Sequence, residues 1–329
     1  MRYVIVSVVK GNAGNFNNNL RKEVFQKFNA KSSKLPAHFT IKAPFEYDDI
    51  EELEEVLQNF CKNHKRAPYK IKNYNHFDNR AIYMEVIMSK EGKKLHDDLF
   101  DECHKYGIEP VITLSHFELP WALAKEYGGF RNRKAIDMFV KFAKVCFERY
   151  QHKVKYWMTF NEINNQMDTN NPLFFWTNSG VMVEEGEDPQ DVLYKVAHNE
   201  LLASAKAVIA GKKINPDFKI GCMVSHVPIY PYSCNPDDIM AAEEGMRQRY
   251  FFLDVHCRGH YPSYALKEFE RKGYDIGMQE GDAEILAKGT VDYIGFSYYM
   301  STTVKSDVKN DNTGDIVNGA LPNGVENPY

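Results

Sequence analysis

An acidic and an amide side chain directly follow an apolar segment near the middle of the sequence. Residues 154–160 favour a buried strand, and Asn161 and Glu162 come next. A buried parallel strand can present the residues at its C-terminal end to a site, where a carboxylate can transfer a proton. The same pattern also occurs where a strand simply ends in a surface loop. Glu162 is the first candidate for acid–base chemistry, and residues 164–188 are predicted to form a long loop that shapes the site.

Two other apolar segments end in polar or aromatic side chains. Residues 109–114 precede Ser115 and His116, and residues 291–296 are closely followed by Tyr299. Each segment is predicted to be a buried strand that presents these side chains at its C-terminal end.

Strands and helices alternate through this part of the chain. Predicted strands lie near residues 110, 154, 219 and 291, with helical segments between them. This alternation favours parallel βαβ units, and a complete barrel of this kind has eight strands. The predicted fold class is therefore α/β, with residues 100–329 forming a partial (β/α)8 TIM barrel of about four βα units.

These motifs resemble glycoside hydrolase family 1 and, within it, the bacterial 6-phospho-β-glucosidases. The matching segments are Thr113–Trp121, Thr159–Glu162 and Ile294–Tyr299, which occur in the family's order. The resemblance covers residues 107–329. It implies hydrolysis of the O-glycosidic bond of a β-glucoside or 6-phospho-β-glucoside by a retaining mechanism.

The resemblance also implies a role for each matching residue. Glu162 corresponds to the acid/base that protonates the glycosidic oxygen. His116 and Asn161 correspond to residues that bind sugar hydroxyls, and Trp121 is a further substrate-binding candidate. Tyr299 corresponds to the tyrosine that hydrogen-bonds the catalytic nucleophile.

The nucleophile itself is the missing part of this pattern. Retaining glycosidases need two carboxylates about 5–5.5 Å apart, and this family takes the second from a late strand ending in Glu-Asn-Gly. Glu326 and Asn327 imitate that motif, but Pro328 replaces the glycine and the preceding residues favour a loop without a strand. Glu326 is therefore predicted to be a loop residue, and we expect little or no hydrolysis by this chain.

The N-terminal part contains a different candidate pair. Residues 38–45 alternate as in a strand, which places His38 and Thr40 on the same face. Residues 1–99 resemble the first half of a two-histidine phosphoesterase of the 2'-5' RNA ligase-like superfamily, an α+β half-domain. The resemblance implies that His38 acts as acid or base on a phosphodiester or RNA end while Thr40 holds a phosphate oxygen. None of the other ten histidines has Ser or Thr two places on, and a solvated strand histidine remains an alternative.

The boundary between the two parts is predicted inside a helix. From Lys93, apolar side chains recur every four residues at Leu95, Leu99 and Cys103, and Gly107 ends the segment. No flexible linker intervenes, which favours a fusion within one element. Residues 1–100 carry a charge of +4 and the remainder −8, which suggests two units of different origin.

Composition excludes several other classes of protein. The six cysteines form no CxxC pair. His198-Asn199-Glu200 lacks the spacing of a metal-binding helix, so these three residues are predicted to form a surface or packed polar patch. No cofactor or metal is therefore expected. The N-terminal apolar segment is too short for a signal peptide and no segment is long enough to span a membrane, so we expect a cytoplasmic protein without a membrane partner.

Three functions remain open from the sequence. The first is a glycosidase built on Glu162, with impaired activity. The second is a phosphodiesterase or RNA-end-binding protein built on His38 and Thr40. The third is a non-catalytic hybrid fragment whose unpaired sheet edges favour self-association.

Overall fold

In a computed structural model, the protein divides into two compact units, Met1–Leu99 and Phe100–Tyr329. The structure describes residues 2–8, 15, 18–19, 22, 26, 38–46, 50–63, 69–77, 81–169, 172–308 and 323–327. None of the helices in these parts of the chain combines the length and the apolar character needed to cross a membrane.

The first unit contains two antiparallel strand pairs. Its described elements are β1 (Arg2–Val8), β2 (His38–Glu46), α1 (Ile50–Asn63), β3 (Tyr69–Phe77) and β4 (Ala81–Met88). Strand β1 pairs with β2, and β3 pairs with β4. His38 lies opposite Val8 and Thr40 opposite Val6, so the two candidate residues occupy ladder positions two residues apart. The side chains of His38 and Thr40 lie outside the described part of the structure.

Helix α2 (Lys90–Lys105) contains the boundary between the two units. It begins three residues before the predicted start at Lys93. Leu99, one of the apolar residues at four-residue spacing, is 46% exposed. Phe100 is buried instead and packs edge-on against Tyr150, with 5.1 Å between the ring centroids. The four-residue spacing therefore missed the side chain through which this helix contacts the second unit's core.

The second unit alternates strands and helices. Its elements are β5 (Val111–Ser115), α3 (Trp121–Tyr127), α4 (Lys134–Tyr150), β6 (Tyr156–Phe160), α5 (Pro172–Ser179), α6 (Pro189–Ile214), β7 (Lys219–His226), β8 (Ile229–Pro231), α7 (Pro236–Arg258), α8 (Ser263–Lys272), α9 (Asp282–Lys288), β9 (Ile294–Tyr298), β10 (Thr302–Val304) and β11 (Gly324–Val325). Short 3-10 helices occupy residues 129–131 and 163–167.

The four predicted strands form one parallel sheet in the order β5-β6-β7-β9. In its ladders Ser115 lies opposite Phe160, and Ser225 lies opposite Ser297. The C-terminal ends of parallel strands meet at one edge, so the residues that follow β5 and β6 are brought together. The predicted α/β class with a parallel sheet is confirmed for this unit.

The core of this unit lies between the sheet and the helices α4 and α6. Its apolar residues recur on one face of α4, as the sequence predicts, and Phe147 is fully buried there. The Phe147 ring packs edge-on against Trp157 of β6 at 5.0 Å between centroids, and Phe139 stacks on Phe160 at 4.4 Å. Aromatic side chains therefore hold α4 against the strand that precedes the candidate carboxylate.

Two segments depart from the sequence predictions. Residues 164–188, predicted as a loop, include most of a 3-10 helix and the whole of α5, which begins at Pro172 because proline is well suited to the first helical turn. A three-stranded sheet in the order β11-β10-β8 was also missed. Val325 pairs with Thr303 in that sheet, so the expectation that no strand precedes Glu326 is wrong.

Candidate active site

The chain turns sharply after β5 and β6. Phe117 has φ 71° and Glu162 has φ 43°, and these are the non-glycine residues with positive φ in the described parts of the chain. Each lies two residues beyond its strand, in a conformation that costs an ordinary side chain roughly 1–2 kcal/mol. Strain of this kind persists only where surrounding contacts hold it, and it is common at functional sites.

The Glu162 carboxylate is buried and hydrogen-bonded at both oxygens. Glu162 is only 5% exposed. The Tyr299 hydroxyl donates to Oε1 at 2.5 Å, and the Asn165 side-chain amide donates to Oε2 at 2.8 Å. Burial and the hydrogen bond to Glu162 together raise the pKa of Tyr299 above its ordinary value, so the phenol stays protonated and remains a donor. These two bonds fix the orientation of the carboxylate.

Asn161 and His116 lie at the adjoining ends of β6 and β5. The Asn161 backbone N–H donates to the Ser115 carbonyl at 2.8 Å, which continues the sheet ladder by one residue. His116 is exposed, and its backbone N–H donates to both carboxylate oxygens of Glu118, at 2.8 and 2.9 Å. The His116 ring packs edge-on against Phe117, with 5.3 Å between the ring centroids.

Trp121 begins α3, and its side chain lies outside the described part of the structure. Glu326 is exposed and follows β11. Within the described residues, the Glu162 carboxylate is hydrogen-bonded to a phenol and an amide and not to a second carboxylate. The arrangement can therefore hold and transfer a proton.

Asn164 is a positioning residue that the sequence predictions did not name. Its side-chain amide donates to the Ser225 carbonyl at 2.9 Å, and its side-chain oxygen accepts from the Ser225 N–H at 2.7 Å. This reciprocal pair joins the turn after Glu162 to the end of β7. The clustering of three asparagines within four residues of Glu162 was the available signal, since buried amides are usually paired with backbone groups.

A small cavity of about 10 Å³ lies behind Asn161 and is also lined by Asn178 and Glu200. That volume suits about one water molecule. The Asn178 side-chain oxygen and Glu200 Oε1 have no hydrogen-bond partner among the described residues, while Gln166 donates to Glu200 Oε2. Burial raises the pKa of Glu200 to about 8, so this carboxyl is mainly neutral at pH 7.

The trio His198-Asn199-Glu200 is packed inside the unit. All three side chains are buried, so the surface alternative from the sequence is wrong and the packed alternative is correct. His198 is hydrogen-bonded to the Tyr261 hydroxyl at 2.7 Å and to Asp282 at 3.0 Å. Among the described residues, no group of three His, Cys, Asp or Glu side chains has an arrangement that would hold a metal ion.

Comparison with known proteins defines the class of this chain. The sequence profile of glycosyl hydrolase family 1 matches residues 84–327. The chain belongs to this family. The match begins inside β4, upstream of the region that the sequence motifs covered.

The relatives that match this chain include phospho-β-glucosidases. The chain is 73% identical over 245 residues to aryl-phospho-beta-D-glucosidase BglA of Bacillus subtilis, covering 74% of this chain and 51% of the relative. It is 42% identical over 245 residues to 6-phospho-beta-glucosidase AscB of Escherichia coli, covering 74% of this chain and 50% of the relative. The chain thus spans about half the length of these curated relatives.

Solved structures of similar enzymes also match this chain over about half of their own length. A family 1 glycoside hydrolase from Thermotoga maritima, complexed with a cyclophellitol analogue transition state mimic, has a TM-score of 0.57 and 27% identity, covering 73% of this chain and 50% of that one. A beta-glucosidase from Exiguobacterium marinum has a TM-score of 0.55 and 26% identity, covering 69% of this chain and 49% of that one. The partial barrel predicted from four βα units agrees with this partial coverage.

Proposed function

We propose that the second unit carries the acid–base part of a 6-phospho-β-glucosidase site, in which Glu162 protonates the glycosidic oxygen as the bond to the aglycone breaks. The observation that supports this most directly is the buried Glu162 carboxylate at the end of β6, oriented by Tyr299 and Asn165. A positioned carboxyl group of this kind is what general acid catalysis requires. The relatives are an aryl-phospho-β-D-glucosidase and a 6-phospho-β-glucosidase, which supports the substrate class.

Asn161 and His116 are the proposed ligands of the sugar hydroxyls. They lie at adjoining strand ends joined by the hydrogen bond from the Asn161 N–H to the Ser115 carbonyl at 2.8 Å. An amide and an imidazole can each donate or accept, which suits hydroxyl groups that do both. Trp121 is proposed as a further substrate contact, because it starts the helix that follows His116.

The Tyr299 hydroxyl has one hydrogen-bond partner in the proposed complete site and another in this structure. Its proposed role in a complete site is to hold the nucleophile, but its hydroxyl here donates to Glu162 at 2.5 Å. A phenol hydroxyl has one proton to donate, so Tyr299 cannot donate to Glu162 and to a nucleophile at the same time.

Hydrolysis by this chain is proposed to be weak or absent. A retaining mechanism needs a second carboxylate to attack the anomeric carbon. The pair Glu326-Asn327, which resembles the family's nucleophile motif, is followed by Pro328 in place of the glycine. Without a nucleophile, only positioning and partial acid catalysis remain. The chain is therefore proposed to bind a phospho-β-glucoside with little turnover.

Titration calorimetry with an aryl 6-phospho-β-glucoside tests this proposal. We expect binding to the wild type and weaker binding to Asn161→Ala and His116→Ala, by about tenfold each if one hydrogen bond is lost. His152→Ala is the matched control, because His152 is exposed and lies before β6. Absence of binding, or equal binding by all four proteins, would refute the assignment.

We also propose a second activity for the first unit, the binding of a phosphodiester or RNA end by His38 and Thr40. The observation that favours it is the β1–β2 ladder, in which His38 and Thr40 occupy positions two residues apart on one strand. A nucleoside 2',3'-cyclic phosphate is the probe. We expect His38→Ala to abolish its binding and His76→Ala to retain it, because His76 is a strand histidine with no Ser or Thr two residues further on. Lack of binding by the wild type would remove this proposal and leave the glycoside proposal intact.

A further inference from the structure

Two cysteines from different elements of the second unit contact each other. Cys222 lies in β7 and is fully buried, whereas Cys257 lies in the last turn of α7 and is exposed. Their side chains interact closely enough to shift each other's pKa: Cys222 lowers the pKa of Cys257, and Cys257 raises that of Cys222. Both cysteines are in the free thiol form. One sulfur of the pair is thus open to solvent and the other lies directly behind it.

The backbone holds these two positions together. Residues 291–293 run between β7 and the end of α7. The Val291 N–H donates to the His256 carbonyl at 3.0 Å, and the Cys222 N–H donates to the Tyr293 carbonyl at 3.2 Å. The Asp292 N–H adds a third bond, to the Ile220 carbonyl at 2.8 Å. The residues next to each cysteine are therefore bonded to the same short segment.

The two thiols differ in reactivity. The neighbouring Cys222 side chain lowers the pKa of Cys257, and Arg258 acts in the same direction, while burial and Asp254 oppose them. The Cys257 side chain and burial raise the pKa of Cys222. Because the thiolate is the form that reacts, Cys257 is the attacking sulfur and Cys222 the one that resolves.

We propose that Cys222 and Cys257 form a reversible disulfide when the protein meets a hydroperoxide. The Cys257 thiolate attacks one peroxide oxygen, the O–O bond breaks, an S–O bond forms, and the other oxygen leaves as alkoxide or hydroxide and takes up a proton. The Cys222 sulfur then attacks the resulting sulfenic acid, so that an S–S bond forms, the S–O bond breaks, and hydroxide leaves with the Cys222 proton as water. The two sulfurs are oxidised by two electrons in total, and the peroxide bond is reduced. A dithiol reductant reverses the change.

The bond would join α7 to β7, the strand whose C-terminal end holds Asn164. Strand β7 ends with Ser225 and His226, and Ser225 holds Asn164 through two hydrogen bonds, at 2.7 and 2.9 Å. A covalent link between the strand and the helix would restrict the unfolded chain and resist separation of the two elements. The oxidised protein should therefore unfold at a higher urea concentration than the reduced protein.

The test is treatment of the full chain with hydrogen peroxide, followed by intact mass measurement and non-reducing peptide mapping. We expect the loss of two hydrogen atoms and a cross-linked peptide pair containing Cys222 and Cys257. Cys257→Ser, a change at an exposed position, should abolish the cross-link. Cys234→Ser is the matched control, since Cys234 is also exposed, and it should leave the cross-link unchanged.

Two further measurements distinguish the attacking cysteine from the resolving cysteine. In Cys222→Ala, peroxide should leave a sulfenic acid on Cys257 that dimedone captures, because the resolving thiol is gone. In the reduced wild type, iodoacetamide should label Cys257 faster than Cys234. A cross-link that persists in Cys257→Ser, oxidation that spares Cys257, or a preference for Cys234 would overturn the proposal.

Discussion

Replacing Glu200 by glutamine should stabilise the second unit at neutral pH. The Glu200 side chain is fully buried, and burial raises the pKa of its carboxyl to about 8 from the ordinary value of 4.5. Glutamine has nearly the same shape, carries no charge at any pH, and can still accept the hydrogen bond that Gln166 donates. The substitution therefore removes the cost of keeping a carboxyl protonated.

The size of the effect follows from the difference between the two pKa values. Between pH 4.5 and about 8 the folded protein binds a proton at Glu200 that the unfolded chain has released. The favourable contribution of the neutral carboxyl is thus complete below pH 4.5 and is lost as the pH rises to about 8. Each pH unit in this window lowers the free energy of unfolding by about 1.4 kcal/mol. Glu200→Gln should therefore exceed the wild type by up to about 3 kcal/mol at pH 7 and by much less at pH 5.

Urea unfolding followed by tryptophan fluorescence measures this difference. Trp121, Trp157 and Trp176 are the three tryptophans of the chain, and all lie in the second unit, so the signal reports that unit alone. Glu148→Gln is the control at an exposed carboxyl of α4. If wild type and Glu200→Gln lose stability in parallel between pH 5 and pH 8, then Glu200 is ionised in the folded protein and the reasoning is refuted.

Three further changes have distinct expected outcomes. Gly129→Ala should prevent folding of the second unit, since its Cβ would lie 2.0 Å from the Ser179 carbonyl oxygen, whereas Gly107→Ala has no atom within 4 Å and should cost about 1 kcal/mol in thermal unfolding. Asp282→Asn should lower the free energy of unfolding by about 2–3 kcal/mol at pH 7, because it leaves Arg133 without its charged partner. Burial raises the pKa of Asp282, but hydrogen bonds from Arg133 and Gln279 outweigh burial and hold that pKa below its ordinary value of 3.8. The difference in stability between wild type and Asp282→Asn should therefore shrink as the pH falls below 3.8, and a difference that stays constant would contradict this prediction. Phe296→Lys should weaken self-association in sedimentation experiments, since Phe296 is 62% exposed on β9 at one edge of the described parallel sheet, and unchanged association would exclude that edge.

The parallel sheet could be predicted because its signals are local. Apolar runs that end in polar residues mark buried strands, and the alternating helices imply parallel connections. Glu162 could be selected for the same reason, since it directly follows such a run. The sequence did not reveal which side chains hold its carboxylate. Asn165 is three residues away, but Tyr299 is 137 residues away, and only the fold brings β6 and the end of β9 to the same edge.

The features that the sequence did not predict also have physical explanations. The polar composition around Asn164 and Asn178 resembles a loop, but these amides are buried because each has a backbone partner. Leu99 matches the apolar period of α2, yet Phe100 is the residue that packs, since a period identifies a stripe and does not say where the partner surface lies. Strands of two or three residues such as β8, β10 and β11 depend on pairing with distant residues and leave almost no periodic signal.

We propose that Glu162 is the acid/base of a site that lacks its nucleophile. The most direct measurement is turnover of an aryl 6-phospho-β-glucoside with and without formate, a small carboxylate that can attack the anomeric carbon. We predict negligible release of the aglycone by the wild type alone, measurable release when formate is added, and none from Glu162→Gln under either condition. Rapid hydrolysis without formate, or release that is the same in the wild type and Glu162→Gln, would contradict the account.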